Sequence, residues 1–214
     1  MSNGTCIIVA AGSVDPADFP PVISGDDLLI AADAGCKILI ESGIKPHLVI
    51  GDFDSSNEPT GDFEVIKLPV EKDDTDTVFS VREGFRRGYR NFIIYGALGG
   101  SRISHSIANI QLLTMLKEMG CRGKLIFGST SLFVLGSGDK EVVKGRAGDH
   151  VSLFSLSETA TVSTVGLYYP LSGGLLKRNF PLGVSNSLTG EEASILVHEG
   201  ELLVVIERLS FVTT

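Results

Sequence analysis

Apolar and polar positions change rhythm part-way along the chain. In the first part, apolar runs of strand length end in small residues, as in TCIIVAAG (5–12), DLLIAADAG (27–35) and HLVIGDFD (47–54). Runs without polar alternation predict strands buried on both faces. EVIKLP (64–69), NFIIYGALGG (91–100) and KLIFG (124–128) extend the series. Helical patterns lie between them. GCKILIESG (35–43) reads as a short helix closed by Gly43, and another runs from about Thr75 to Gly88 with Arg82, Glu83, Arg86 and Arg87 on its polar face. SHSIANIQLLTMLKEMG (104–120) reads as a further helix. Strands alternating with helices predict a mostly parallel sheet with helices on both faces.

Beyond about residue 130 the helical pattern stops. SLFVLG, EVVKG, HVSLFSL, TATVSTVG, ASILVHE and LLVVIE are short apolar runs with turn residues between them. Regular short strands predict an antiparallel sandwich or barrel. The expected organisation is therefore an α/β domain over residues 1–130, with a mostly parallel sheet and flanking helices, and an all-β sandwich domain over 131–214.

Composition narrows the class. A chain of 214 residues with 43% hydrophobic and 21% charged positions can bury a proper core. The formal charge of −8 lacks the basic excess of a nucleic-acid scaffold. Acidity suits a cationic small substrate, or a polyanion held through a divalent metal. Cys6, Cys36 and Cys121 are odd in number and widely spaced, which excludes a disulfide framework or a CxxC metal site and predicts reduced buried thiols. The opening segment has no basic n-region and no apolar run reaches membrane-span length. The expectation is a cytoplasmic protein without nucleic-acid or membrane partners.

Chemistry enters with the carboxylates. Ligands of open parallel sheets bind beyond the carboxyl ends of the strands. Asp33 ends one predicted strand, Asp52 and Asp54 end the next, and EKDDTD (71–76) places Asp73, Asp74 and Asp76 at the start of a helix. Taken singly, each has a bland explanation as a turn or helix-capping residue. Taken together, carboxylates crowded on one sheet edge repel unless a cation neutralises them. Oxygen donors without His or Cys point to Mg²⁺. In GALGGSRISH (96–105), Gly96, Gly99 and Gly100 leave a strand and open a helix, where backbone N–H groups attract phosphate. Arg102 adds a permanently charged fork suited to phosphate oxygens, against a surface ion pair as its bland role. His105 reads equally as a capped or buried helix residue. These residues alone lead to a Mg-dependent enzyme acting on a phosphate compound.

The motifs AADAG, GDFDS, KDDTD and GALGG…R…H…ANIQ, in this order, resemble those of the thiamine pyrophosphokinase family. GLYYPL (166–171) and GVSN (183–186) resemble its thiamine-side motifs, so the resemblance spans nearly the whole chain. It implies the reaction of ATP with thiamine to give thiamine diphosphate and AMP, with Mg²⁺, in a homodimer whose thiamine cleft lies between subunits. The α/β domain would then carry ATP and Mg²⁺, and the β domain thiamine binding and dimerisation. On matching positions, Asp52, Asp54 and Asp76 would hold Mg²⁺ and, with Arg102, act on the triphosphate. Asp76 is the favoured acceptor of the hydroxyl proton. Asp33, Asp74, Thr75, Gly99, Gly100, Ser104, His105 and Asn109 would belong to the ATP side. Ser185, Asn186 and Tyr168 or Tyr169 would face thiamine, with a filled sandwich core as the equal alternative for one of the two tyrosines.

The family pattern GGRxDH departs here to GGSRISH, with Ser101 inserted and Ser104 where an aspartate is expected. Activity is nonetheless expected, since the other motifs are intact. The alternatives are a non-catalytic thiamine- or nucleotide-binding homologue and a different Mg-dependent phosphoryl-transfer or hydrolytic enzyme. A purely structural adaptor would leave the aspartates unexplained.

Overall fold

The computed structural model describes residues 4–16, 19, 21–53, 59–71, 73–99 and 102–209. It divides into two compact units, Met1–Gly128 and Ser129–Thr214. Among the described residues no helix is long and apolar enough to cross a membrane.

In the first unit the elements run β1 (Thr5–Val9), β2 (Leu28–Ala32), α1 (Gly35–Glu41), β3 (Leu48–Gly51), β4 (Glu64–Lys67), α2 (Asp76–Arg86), β5 (Asn91–Tyr95), α3 (Ile103–Glu118) and β6 (Arg122–Phe127). The strands lie in the order β6-β5-β1-β2-β3-β4, and every neighbouring pair is parallel. The uninterrupted apolar runs are explained by burial on both faces. Ile7 and Val9 pack with Leu29, Ala31, Val49 and Phe53 under Cys36 and Leu39 of α1. Cys6 and Ile8 point the other way and are equally buried. There α2 lies directly on β1, since a Cβ on Gly84 would stand 2.6 Å from the Cys6 sulfur. Burying each such side chain stabilises the unit by about 1.5–3 kcal/mol. Burial also pushes the thiols of Cys6, Cys36 and Cys121 up, and all three are free and buried.

α2 begins where Thr75 accepts a hydrogen bond from the Val78 N–H at 3.2 Å. Its far end is tied down by charge. Glu83, buried, accepts hydrogen bonds from Arg86 and Arg87, and Arg87 also reaches Glu64 of β4 at 2.7 Å. The polar face expected from the sequence is thus a clamp between the helix and the sheet.

The second unit holds only strands among its described residues: β7 (Thr130–Gly136), β8 (Lys140–Lys144), β9 (His150–Ser155), β10 (Thr159–Val165), β11 (Gly174–Lys177), β12 (Gly183–Ser187), β13 (Glu192–Glu199) and β14 (Glu201–Glu207). They form the orders β12-β9-β14-β7 and β11-β10-β13-β8, antiparallel throughout. Side chains of both sheets share one core, with Phe133, Val151, Leu202 and Val204 from the first and Val143, Val162, Ile195 and Val197 from the second. β11 and β12 have no strong apolar alternation and were not expected as strands. Their burial is patchy because both lie at sheet edges.

Candidate active site

Strand order decides where the first unit can bind a ligand. From β1 the chain winds one way through β2, β3 and β4, and the other way through β5 and β6. The chain leaving β1 and the chain leaving β5 therefore go on to opposite sides of the sheet, and a crevice opens at the carboxyl ends of the strands. A cavity of about 630 Å³ occupies this edge. Its walls come from residues 10–13 after β1, Ala32 and Asp33 after β2, Asp52 after β3, Thr75–Thr77 at the start of α2, Gly96, Ala97 and Gly99 after β5, and Arg102, His105 and Asn109 of the α3 region.

The two loops at the switch point touch. The Gly12 N–H donates to the Gly96 carbonyl at 2.9 Å, continuing the β1–β5 pairing. A Cβ on Gly12 would lie 2.3 Å from the Gly96 oxygen, and one on Gly96 would lie 2.5 Å from the Ala10 oxygen. Gly96 also has φ +64°, a conformation that costs a residue with a Cβ roughly 1 kcal/mol or more. Only glycine fits at both positions. Residues 10–13 were not singled out in the sequence, where AAG reads as an ordinary strand end. The small residues were a signal, but one without meaning until β1 and β5 are known to be neighbours.

Backbone strain marks the carboxylate edge. Among the described residues, the non-glycine positions with left-handed φ are Asp33 (+50°), Phe53 (+53°) and Ser185 (+57°). Two of them belong to the strand ends that carry Asp33 and Asp52. The Asp33 N–H donates to the Ile50 carbonyl at 2.8 Å, which pins the turn to β3. Phe53 buries its ring in the core and so holds the bulky residue in a conformation worth about 1–3 kcal/mol of strain. The two anchors fix the strand ends that carry Asp33 and Asp52.

The expected residues are distributed unevenly. Asp33, Asp52, Asp76, Thr75, Gly99, Arg102, His105 and Asn109 line the cavity. Asp54 and Gly100 lie outside the described residues. Asp74 and Ser104 are not part of the wall. Asp74 turns instead to Arg82, 2.9 Å away, and Ser104 is exposed on the first turn of α3. Thr75 serves as the cap of α2, and buried Asn109 donates to the Ala97 carbonyl at 2.7 Å, holding the glycine turn. Among the described residues no three His, Cys, Asp or Glu side chains form a group able to hold an ion by themselves. In the second unit Tyr168 and Tyr169 are both exposed, so neither fills the core that the sequence offered as an alternative for one of them, and their rings meet edge-to-face with centroids 4.9 Å apart. Ser185 is exposed on β12, and Asn186, next to it in the chain, is buried.

Comparison with known proteins follows this division. Residues 19–125 match the sequence model of the thiamin pyrophosphokinase catalytic domain, and residues 140–202 that of the thiamin pyrophosphokinase vitamin B1 binding domain. The thiamine pyrophosphokinase of Bacillus subtilis (strain 168) is 27% identical over 212 residues, covering 94% of this chain and 97% of that protein. The crystal structure of thiamin pyrophosphokinase from Geobacillus thermodenitrificans superposes with a TM-score of 0.82 at 27% identity, covering 96% of this chain and 98% of the other. The crystal structure of the Bacillus subtilis protein gives a TM-score of 0.85 at 23% identity, over 96% and 100% of the two chains, a likeness of fold. With both halves matched in order along the chain, this protein belongs to the thiamin pyrophosphokinase family.

Proposed function

We propose that the chain transfers the diphosphoryl group of ATP to the hydroxyl of thiamine, giving thiamine diphosphate and AMP. The observation that carries this reading is one cavity at the switch point lined by Asp33, Asp52, Asp76 and Arg102, in a chain matched by both domain models of the family. Its volume, about 630 Å³, lies within the range of small-molecule sites, roughly 300–1,000 Å³.

In this reading the glycine turn after β5 and the start of α3 hold phosphate. Among the described residues α3 has no side-chain cap, in contrast to α2. The His105 N–H donates to the Arg102 carbonyl at 3.0 Å, which leaves the Ile103 and Ser104 N–H groups of the first turn to meet an anion. Arg102 supplies a fork for phosphate oxygens. The Asp52 and Asp76 carboxylates fit Mg²⁺ by donor chemistry, since this ion is usually held by one or two carboxylates, phosphates and waters rather than by a protein cage. Bound there, Mg²⁺ would neutralise phosphate charge. The thiamine oxygen forms a bond to the β-phosphorus as the bond from that phosphorus to the α,β-bridging oxygen breaks, and AMP leaves. The hydroxyl proton passes to an aspartate, for which Asp76 is the candidate. Positioning and charge stabilisation carry such a transfer.

Residues 131–214 are proposed as the sandwich domain that binds thiamine and forms the dimer, with Ser185 and the Tyr168–Tyr169 pair on the thiamine side. Exposed aromatic rings suit the cationic thiazolium. The cytoplasm is the proposed compartment. The test is a product assay on purified protein with ATP, Mg²⁺ and thiamine. AMP and thiamine diphosphate in equal amounts are expected. ADP or inorganic phosphate, or ATP consumed without thiamine, would overturn the reading.

A further inference from the structure

Asn186 stands in a motif expected to face thiamine, yet its side chain is turned inward and is 9% exposed. Its Oδ1 accepts from the Tyr169 N–H at 3.0 Å and from the Ser187 N–H at 2.9 Å, and its Nδ2 donates to the Tyr169 carbonyl at 2.7 Å. One amide thus satisfies both backbone groups of Tyr169, as a partner strand would. The bonding is needed because the chain bends there. Leu167 pairs with Leu188 as an isolated antiparallel bridge, the Tyr168 N–H donates to the Ser187 carbonyl at 2.9 Å, and then the segment leaves the sheet.

The neighbouring backbone is equally specific. The β12–β9 register shifts between Gly183 and Asn186. Within that irregularity Ser185 takes φ +57°, and its N–H donates to Ser152 Oγ of β9 at 3.0 Å. Non-glycine residues in this region are uncommon and persist only when surrounding bonds over-determine them. Ser185 is therefore displayed by a bulge on one side, and the two tyrosines by an amide on the other. Asn186 joins the two displays.

Resting on the thiamine-side reading above, we propose that Asn186 is a positioning residue that sets the Tyr168–Tyr169 corner against Ser185, and that it does not itself touch thiamine. Three hydrogen bonds from a buried amide leave Oδ1 with both lone pairs used and Nδ2 with one hydrogen. Such an amide has little left to offer a ligand.

The experiment compares wild type, Asn186→Ala, Asn186→Asp, Tyr168→Ala/Tyr169→Ala and the triple variant. Thiamine binding is read by calorimetry, KM for each substrate by kinetics, and folding by thermal melting. Asn186→Ala should raise the thiamine Kd and KM about tenfold or more, as expected for three lost hydrogen bonds, and change the KM for ATP less than about twofold. Added to the double tyrosine variant it should change thiamine affinity no further, because both act through one corner. Asn186→Asp keeps both acceptor bonds and loses the donor, so it should fall between wild type and Asn186→Ala, and it serves if the alanine variant does not fold. Additive losses would mean a direct contact and overturn the proposal. So would an unchanged thiamine KM, or parallel losses for both substrates that track a lowered melting temperature. If wild type neither binds nor converts thiamine, the thiamine-side reading falls along with this inference. If wild type is active and the variants are silent, this inference falls alone.

Discussion

The cavity of the α/β unit forms where a parallel sheet reverses its winding, whereas the tyrosine corner of the β unit forms where a segment leaves the sheet and is bonded by Asn186 of the irregular strand β12. In the first, strand order makes the concavity, and side chains decorate walls that the backbone has already built. In the second, among the described residues, the tyrosines stand exposed. A side-chain amide supplies the missing backbone partner, and the displayed rings stay exposed. The two regions share only strain: each carries non-glycine residues at left-handed φ next to its candidate functional groups. A pre-formed cavity should tolerate the loss of a contact but not of a charge. A corner held by one amide should fail when that amide goes.

The largest effect expected is from charge at the cavity. Asp52→Asn or Asp76→Asn should lower kcat by about 10³-fold or more with the fold kept, the scale on which electrostatic stabilisation of a developing charge usually acts. Circular dichroism and AMP release are the measurements, and wild-type turnover in both variants would remove the carboxylates from the chemistry. Next comes the backbone of the switch point. Gly96→Ala puts a methyl 2.5 Å from the Ala10 carbonyl oxygen at a left-handed φ. It should destabilise the unit by about 1–3 kcal/mol and raise the KM for ATP, through strain and displacement of the glycine turns. An unchanged melting temperature and KM would show that the loops need not touch.

A third change separates the frame from the chemistry. The Arg86 hydrogen bond, helped by that of Arg87, holds the Glu83 carboxyl below the usual glutamate range, against the opposing effect of burial. A depressed folded-state value means that the contribution is present above the unfolded value near 4.3 and is lost as pH falls through the lower folded one. Glu83→Gln should therefore lower stability by about 1.5–3 kcal/mol at neutral pH and flatten the acid limb of the stability profile, leaving kcat near wild type. Denaturant melts at several pH values check this; a large loss of kcat in fully folded protein would show that the clamp acts on the site. The smallest effect is at the family departure. Ser104 is exposed and outside the cavity wall, so Ser104→Asp should change kcat/KM by less than about threefold. A large gain would place that carboxylate in the reaction.

Much of the fold was legible because its causes are local. Continuous apolar runs such as CIIV and LVIG need two covered faces, and that requirement alone implies a sheet with helices on both sides. The carboxylates at the strand ends and at the start of α2 were legible for the same reason. Residues 10–13 were not, because a strand-end AAG acquires a role only once β1 lies beside β5. Asp74 was also beyond local reading, since Arg82, nearly two helical turns into α2, takes its carboxylate away from the cavity. β11 and β12 escaped because edge strands need little apolar alternation.

By itself, then, the sequence determined most of the elements, their layers and the stock of charge at the sheet edge, since periodicity and turn chemistry act between residues close in the chain. Tertiary structure decided which loops face one another and which side chains face inward. Strand order is set by long-range pairing, and an amide such as that of Asn186 can be assigned to ligand or backbone only when the backbone it meets is in place.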